Sequence, residues 1–242
     1  MKRELAKKIK LHPVETVVSV LVIFLLTVGT YSRNRIWDDD IGLWTDCVNK
    51  SPLKARPYLN LGVAYLNIGA YDRSFKATQK AVQLDPKNGQ AYYNLGLNYQ
   101  KTGNLKEAIA MEKKSLELDP TFDMAYYSLG GIYFESGQYE ESEEAFQRFL
   151  KIYPYFPEVH NLLGLAYAGQ KKFDKAVTEL EWEIRINPNH TLAHLNLGLI
   201  YWHEFQDRQK ALSHLKRALA LDPLIPDRAE IVRLVRLLEG FP

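Results

Sequence analysis

His190 and His194 stand four residues apart, the spacing at which two imidazoles on one helical face can share a metal ion. No third ligand stands nearby, so the pair reads as structural. His203-Glu204 opens like a zinc-protease helix but continues Phe205-Gln206-Asp207, without the second histidine that chemistry needs. Asp38, Asp39 and Asp40 could hold a cation or donate a proton. At the start of a helix, carboxylates also satisfy free amide donors and face the positive end of the dipole, and that is the expected role here. Cys47 is the one cysteine, which excludes an internal disulfide framework and any multi-cysteine zinc site. There is neither a phosphate-binding glycine loop nor a nucleophile elbow. The sequence therefore predicts no catalytic residue, no metal, no cofactor and no small-molecule substrate.

What recurs instead are residues suited to packing and recognition, and they recur at a fixed interval. Gly62, Gly96, Gly130, Gly164 and Gly198 are spaced by 34 residues. Each follows a leucine (Leu61, Leu95, Leu129, Leu163, Leu197), and a tyrosine stands three residues on (Tyr65, Tyr99, Tyr133, Tyr167, Tyr201). Pro86, Pro120, Pro154 and Pro188 close successive units, and Pro223 closes the last after a one-residue insertion near Phe205 to Gln209. A period of this length marks a stack of supersecondary units.

Within a unit the spacing is helical. Tyr92, Leu95, Gly96 and Tyr99 fall at i, i+3, i+4 and i+7, one stripe of an α-helix. Gly96 leaves room for a partner helix against its backbone. Gly103-Asn104 breaks the helix, and Ala108, Met111 and Ser115 mark the expected inward face of its partner. Asp119-Pro120 ends that partner, because the residue before proline is pushed out of helical geometry. One such hairpin cannot bury its apolar stripe alone, so each unit depends on its neighbours.

These columns resemble the tetratricopeptide repeat (TPR) family, whose pattern of a large residue, Leu-Gly, Tyr, then Ala and Pro runs through residues 55 to 223. Ser74 and Ser142 depart from it where a small alanine is usual, and His160 and His194 replace the tyrosines at 58, 92 and 126. The resemblance implies an all-α, right-handed TPR solenoid of helix-turn-helix hairpins, with repeats near 55–88, 89–122, 123–156, 157–190 and 191–224. Residues 32–54 would form a linker and an N-terminal capping helix with Trp44 in the packing position. Residues 225–242 would form a C-terminal cap, with Ile231, Leu234, Val235 and Leu238 on its inner face.

The resemblance also implies a concave groove lined by the first helix of each repeat. In the Leu-Gly register its positions are Leu59, Tyr93, Tyr127, Asn161 and Leu195; Val63, Leu97, Gly131, Leu165 and Leu199; and Leu66, Gln100, Phe134, Ala168 and Trp202. The groove reads as apolar and aromatic, without the Lys/Arg pattern of TPR domains that clamp chaperone carboxyl termini. Asn60, Asn94 and Asn196 stand two residues before their glycines, interrupted by Ser128 and Leu162. The row resembles, incompletely, the asparagines that hold peptide backbones in O-GlcNAc transferase, and an amide can both donate and accept. Helix capping or bridging accounts for it equally well. The expected binding residues are Tyr93, Leu97, Tyr127, Phe134 and Trp202, with Asn60, Asn94 and Asn196, and the expected partner is a polypeptide.

The remaining feature is the N-terminus. Of 242 residues with a net charge of +2, residues 1 to 36 carry seven Lys/Arg against Glu4 and Glu15, so the basicity is local and does not describe a nucleic-acid face. Thr16 to Tyr31 is uncharged. Residues 14–31 would span about 27 Å as a helix at ~1.5 Å per residue, enough for a bilayer core. Five cations precede the segment, so residues 1–13 are expected in the cytoplasm and the repeats outside it, as a single-pass inner-membrane protein with a periplasmic domain. A cleaved signal peptide would begin the same way, but the best cleavage site, Thr30-Tyr31-Ser32, is poor. Residues 30–62 further resemble the passage into the repeats of O-mannosyltransferase-like proteins of the transmembrane-and-TPR group. That suggests an alternative, an accessory or detached part of a membrane glycosyltransferase, though the early acidic loop of those enzymes is missing from this sequence.

Overall fold

The computed structural model describes residues 39–240, and among them are twelve helices and no strand. The expectations for residues 1–13 and 14–31, and for most of the linker, lie outside the described residues. The chain divides into two compact units at Pro86/Lys87.

The first unit holds α1 (Asp40–Lys50), α2 (Ala55–Asn67) and α3 (Tyr71–Leu84). Asp39 caps α1 as its acidic run suggests, accepting from the Gly42 amide at 2.6 Å, while Asp40 sits in the first turn. Trp44 is half-buried. Between α2 and α3, Ser74 Oγ donates to Gly62 O at 2.7 Å. A β-carbon on Gly62 would collide with Thr78 Oγ1, so this contact needs glycine. The serine that departs from the repeat pattern thus satisfies its hydroxyl on the backbone of the repeat glycine.

The second unit runs α4 (Gly89–Lys101), α5 (Leu105–Leu118), α6 (Met124–Glu135), α7 (Tyr139–Ile152), α8 (Val159–Gly169), α9 (Phe173–Ile186), α10 (Thr191–His203), α11 (Arg208–Leu221) and α12 (Arg228–Glu239). The same close approach recurs: an added β-carbon at Gly130 would meet Phe146 at 2.6 Å, at Gly164 Leu180 at 2.9 Å, and at Gly198 Leu215 at 2.7 Å. Phe146, Phe149, Val159, Leu163, Leu180, Leu197 and Leu215 form one continuous core that ends on Ile231, Val235 and Leu238 of α12. The terminal helix therefore turns inward the face its sequence suggests, with Leu234 half-buried beside it.

One junction uses tertiary contacts in place of a local cap. Glu158 precedes α8 in the left-handed region (φ 72°) and supplies no side-chain cap. The buried carboxylate of Glu183, on α9, accepts instead from the amides of Glu158 (3.0 Å) and Asn161 (3.4 Å) at that helix start. At the hairpin turns Gly103 and Gly137 take positive φ, and Lys171 takes the equivalent conformation at 60° without glycine's freedom.

Candidate functional site

α4 and α6 are the first helices of consecutive 34-residue units, so residues one period apart sit side by side. Tyr93, Leu97, Tyr127 and Phe134 accordingly line one cavity of about 320 Å³, with Gln100, Lys101, Ser128, Gly131, Glu135 and Leu162. Leu97 occupies the register position that Gly131 occupies one repeat later. A β-carbon on Gly131 would meet nothing within 4 Å, so the cavity exists where the apolar column loses a side chain.

The rings that frame it are held from behind. Tyr93 meets Phe122 edge-on at 4.9 Å between centroids. Tyr127 leans on Phe149 at 5.4 Å and Phe156 at 5.7 Å, and Phe134 on Tyr139 at 5.7 Å. All three groove rings are half-buried, so each serves the core with one face and the cavity with another. At the rim, Gln100 Nε2 donates to Glu135 Oε1 at 2.9 Å and ties α4 to α6.

Beneath Ser128 lies a group the sequence reading missed. Glu112 on α5 is fully buried against Gly96, where an added β-carbon would lie 2.8 Å from its Oε1. Ser128 Oγ donates to the same oxygen at 2.7 Å, and Glu112 Oε2 has no partner. Burial pushes this carboxyl up to about 9, against the opposing pull of the Ser128 bond, so it is protonated and neutral at pH 7. Burial, then the proximity of Glu112 and Tyr127, pushes the Tyr93 phenol up to about 12.

The remaining expected residues are dispersed. Asn94 is buried, with its side-chain nitrogen unpartnered. Asn196 is half-buried and donates to Asn161 Oδ1 at 3.0 Å, a bridge between α10 and α8. Asn60 lies half-buried on α2 in the first unit. Trp202 does not join Tyr93 and Tyr127. It borders a separate cavity of about 660 Å³ with His203, Gln206, Arg208, Leu237 and Leu238. Next to that cavity, Leu192, Leu195, Leu199, Ile231, Leu234 and Leu237 face an apolar cleft of about 720 Å³ between α10 and α12.

The histidines pair in ways that spacing did not suggest. His194 faces His214, not His190, with Nδ1 to Nδ1 at 3.1 Å, and its Nε2 meets Pro188 O at 3.2 Å. A proton between two nitrogens at that distance requires one lone pair. Burial lowers both pKa values, helped by Arg217 and His190 at His194 and by His194 at His214. His160 meets two acceptors, Glu179 Oε2 at 2.6 Å and Pro154 O at 2.9 Å. Burial disfavours its charge, but those bonds and the nearby carboxylates of Glu179 and Glu183 outweigh it and raise the pKa. His190 Nδ1 accepts from the Ala193 amide at the start of α10. Among the described residues no group of three or more His, Cys, Asp or Glu could hold a metal ion.

Tetratricopeptide-repeat models match residues 55–88, 89–122, 112–144 and 161–226, and a further TPR-repeat model matches 130–171. Together they run unbroken from 55 to 226, well over half the chain. The chain belongs to the tetratricopeptide-repeat family. Among solved TPR structures it is similar to MamA at 30% identity, covering 66% of this chain and 94% of that one with a TM-score of 0.62. YrrB, described as a TPR protein with an unusual peptide-binding site, aligns at 24% identity over 78% of this chain and 96% of its own, with a TM-score of 0.67. PilF of Pseudomonas aeruginosa aligns at 22% over 76% and 84%, also at 0.67. These last two likenesses concern the fold. No curated protein matches the chain. The matches are to repeats and do not extend the resemblance of residues 30–62 to O-mannosyltransferase-like proteins. A TPR array of this kind implies polypeptide partners.

Proposed function

We propose that the chain is a noncatalytic, membrane-held TPR scaffold that captures a polypeptide outside the cytoplasm. The observation that carries the binding half is the cavity between α4 and α6, where three half-buried rings converge with a neutral floor. Sites of this kind, apolar with a few placed polar groups, are where ligands gain most from leaving water. A peptide-binding site in YrrB, which shares the fold, is consistent with this use.

Tyr93→Ala combined with Tyr127→Ala is expected to weaken partner capture by more than tenfold, since truncated aromatic hot spots commonly cost ~2 kcal/mol or more. Tyr127 also packs on Phe149 and Phe156, so the pair should lose some thermal stability while its helicity at 25 °C persists. The control is Lys113→Ala with Lys114→Ala on α5. Crosslinking pull-down from intact membranes gives the readout. Loss of capture in the lysine pair alone would move recognition to the other face of the repeats.

The membrane half rests on the uncharged stretch 16–31 and the cations before it. Among the described residues no helix is long and apolar enough to cross a bilayer, so residues 14–31 alone carry this proposal. Cys47, free and half-buried on α1, should react with an impermeant thiol reagent in spheroplasts to the same extent as in lysates. Protection of Cys47 and of the repeats until lysis would place them in the cytoplasm.

A further inference from the structure

The apolar column at the position after each repeat glycine reads Val63, Leu97, Gly131, Leu165, Leu199, and only the third member lacks a side chain. A glycine inside a helix is destabilising relative to alanine. Gly131 does not offset that cost by close helix packing, because its β-carbon position faces open space, unlike that of Gly130 beside it. The void it leaves is the cavity framed by Tyr93, Tyr127 and Phe134.

The chemistry of the lining limits what can enter. Its walls are Leu97, Leu162 and the three rings, and its two charged residues, Lys101 and Glu135, have opposite signs. The floor is Ser128, whose proton is directed to a carboxyl that burial keeps neutral at pH 7. A carboxylate entering here would lose its water without gaining a net opposite charge, and for an ammonium the ring faces replace only part of the lost hydration. A bulky apolar side chain loses nothing comparable and gains ring and methyl contacts.

We infer that Gly131 creates a single-residue anchor pocket for a phenylalanine- or leucine-sized side chain carried on a polypeptide partner. This rests on the reading of the concave face as a peptide-binding surface and adds which residue of the partner the surface selects. Gly131 acts by absence, since any side chain there occupies the partner's place.

The test uses the full chain in detergent and fluorescein-labelled decapeptides of Ala, Gly and Ser with one central Phe, Leu, Lys or Glu, read by anisotropy. The Phe and Leu peptides are expected to bind at least tenfold tighter than the Lys and Glu peptides. Gly131→Leu fills the void without a backbone clash and should abolish that preference while its melting temperature stays equal or rises. Gly131→Ala should reduce the preference only in part. Preference for the Lys peptide, an undiminished preference in Gly131→Leu, or no binding of any peptide would each overturn the anchor pocket. Partner capture in membranes that remains sensitive to the Tyr93/Tyr127 change would, in those cases, leave the broader peptide-binding reading standing. Insensitivity there as well would remove both.

Discussion

Deletion of residues 226–242 is expected to turn a monodisperse protein into an aggregating one and to lower its melting temperature by more than ten degrees. In the folded chain Ile231, Val235 and Leu238 are 6%, 8% and 2% exposed, and they close the core that runs back through Leu215 and Leu197 to Phe146. Burying a side chain of this size contributes roughly 1.5–3 kcal/mol, so losing three, with the α11 surface they cover, removes on the order of 5 kcal/mol or more. Total stabilities of domains are only ~5–15 kcal/mol. Repeat arrays transmit such a loss to the neighbouring unit, because each interface holds the next. Three polar ties go with it: Arg208 Nε to Leu238 O at 2.5 Å, Lys216 Nζ to Glu239 Oε1 at 2.5 Å and Arg228 Nη1 to Leu219 O at 3.4 Å. Size-exclusion chromatography and a circular-dichroism melt give the answer. A truncated chain that elutes as a monomer and melts with the full protein would show that α12 is not a cap. Val235→Asp on the intact chain provides the same test without shortening it, and should lower the melting temperature by half as much or more.

The inward face of the terminal helix was legible in sequence because an amphipathic stripe needs nothing beyond its own spacing. The same holds for the repeat hairpins, whose glycine, tyrosine and proline columns fix where helices approach and stop. Convergence of Tyr93, Leu97, Tyr127 and Phe134 was also legible, since equal register positions on consecutive first helices must lie together. Trp202 shares that register yet lies apart, because it stands two periods from Phe134 with α8 between α6 and α10; its neighbours are Leu237 and Leu238 of the terminal helix. In the asparagine row Asn94 is buried and Asn196 donates to Asn161, placements set by how successive hairpins pack and not by the spacing of the row.

The inward face of α5 shows what apolar spacing hides. Ala108, Met111 and Ser115 were expected inside, and Ala108 and Ser115 are fully buried, but Met111 is only half-buried and the third fully enclosed position is Glu112. A charged residue is passed over when hydrophobic periodicity is the guide. The repeat itself held the clue: Glu112 stands sixteen residues after Gly96, as Thr78, Phe146 and Leu180 stand after Gly62, Gly130 and Gly164. The Glu183 cap of α8 and the His194–His214 pair were not legible by any such column, because each joins elements whose contact depends on how successive hairpins stack.

Glu112→Gln is expected to stabilise the protein, and to do so increasingly as pH rises. The carboxyl is held near 9 in the folded chain by burial, far above its ordinary value of 4.5. Between those limits the folded state keeps a proton that the unfolded state releases, so more protons are bound in the native form and stability falls with rising pH. The slope approaches ~1.4 kcal/mol per pH unit for one fully displaced proton. Glutamine carries no such dependence, and its oxygen can still accept from Ser128. Its amide inherits the place of the unpartnered Oε2, a cost of about 1–3 kcal/mol that sets the two proteins near parity at pH 5. By pH 8 the variant should lead by several kcal/mol, on the order of 2–4 after that cost. Paired thermal or urea denaturation at pH 5, 6.5 and 8 measures the crossing. A difference between the two proteins that does not change across this range would mean that Glu112 is already ionised when folded. In that case the floor of the cavity above it is charged, and the preference of the Gly131 pocket should swing from phenylalanine to lysine in the same peptides.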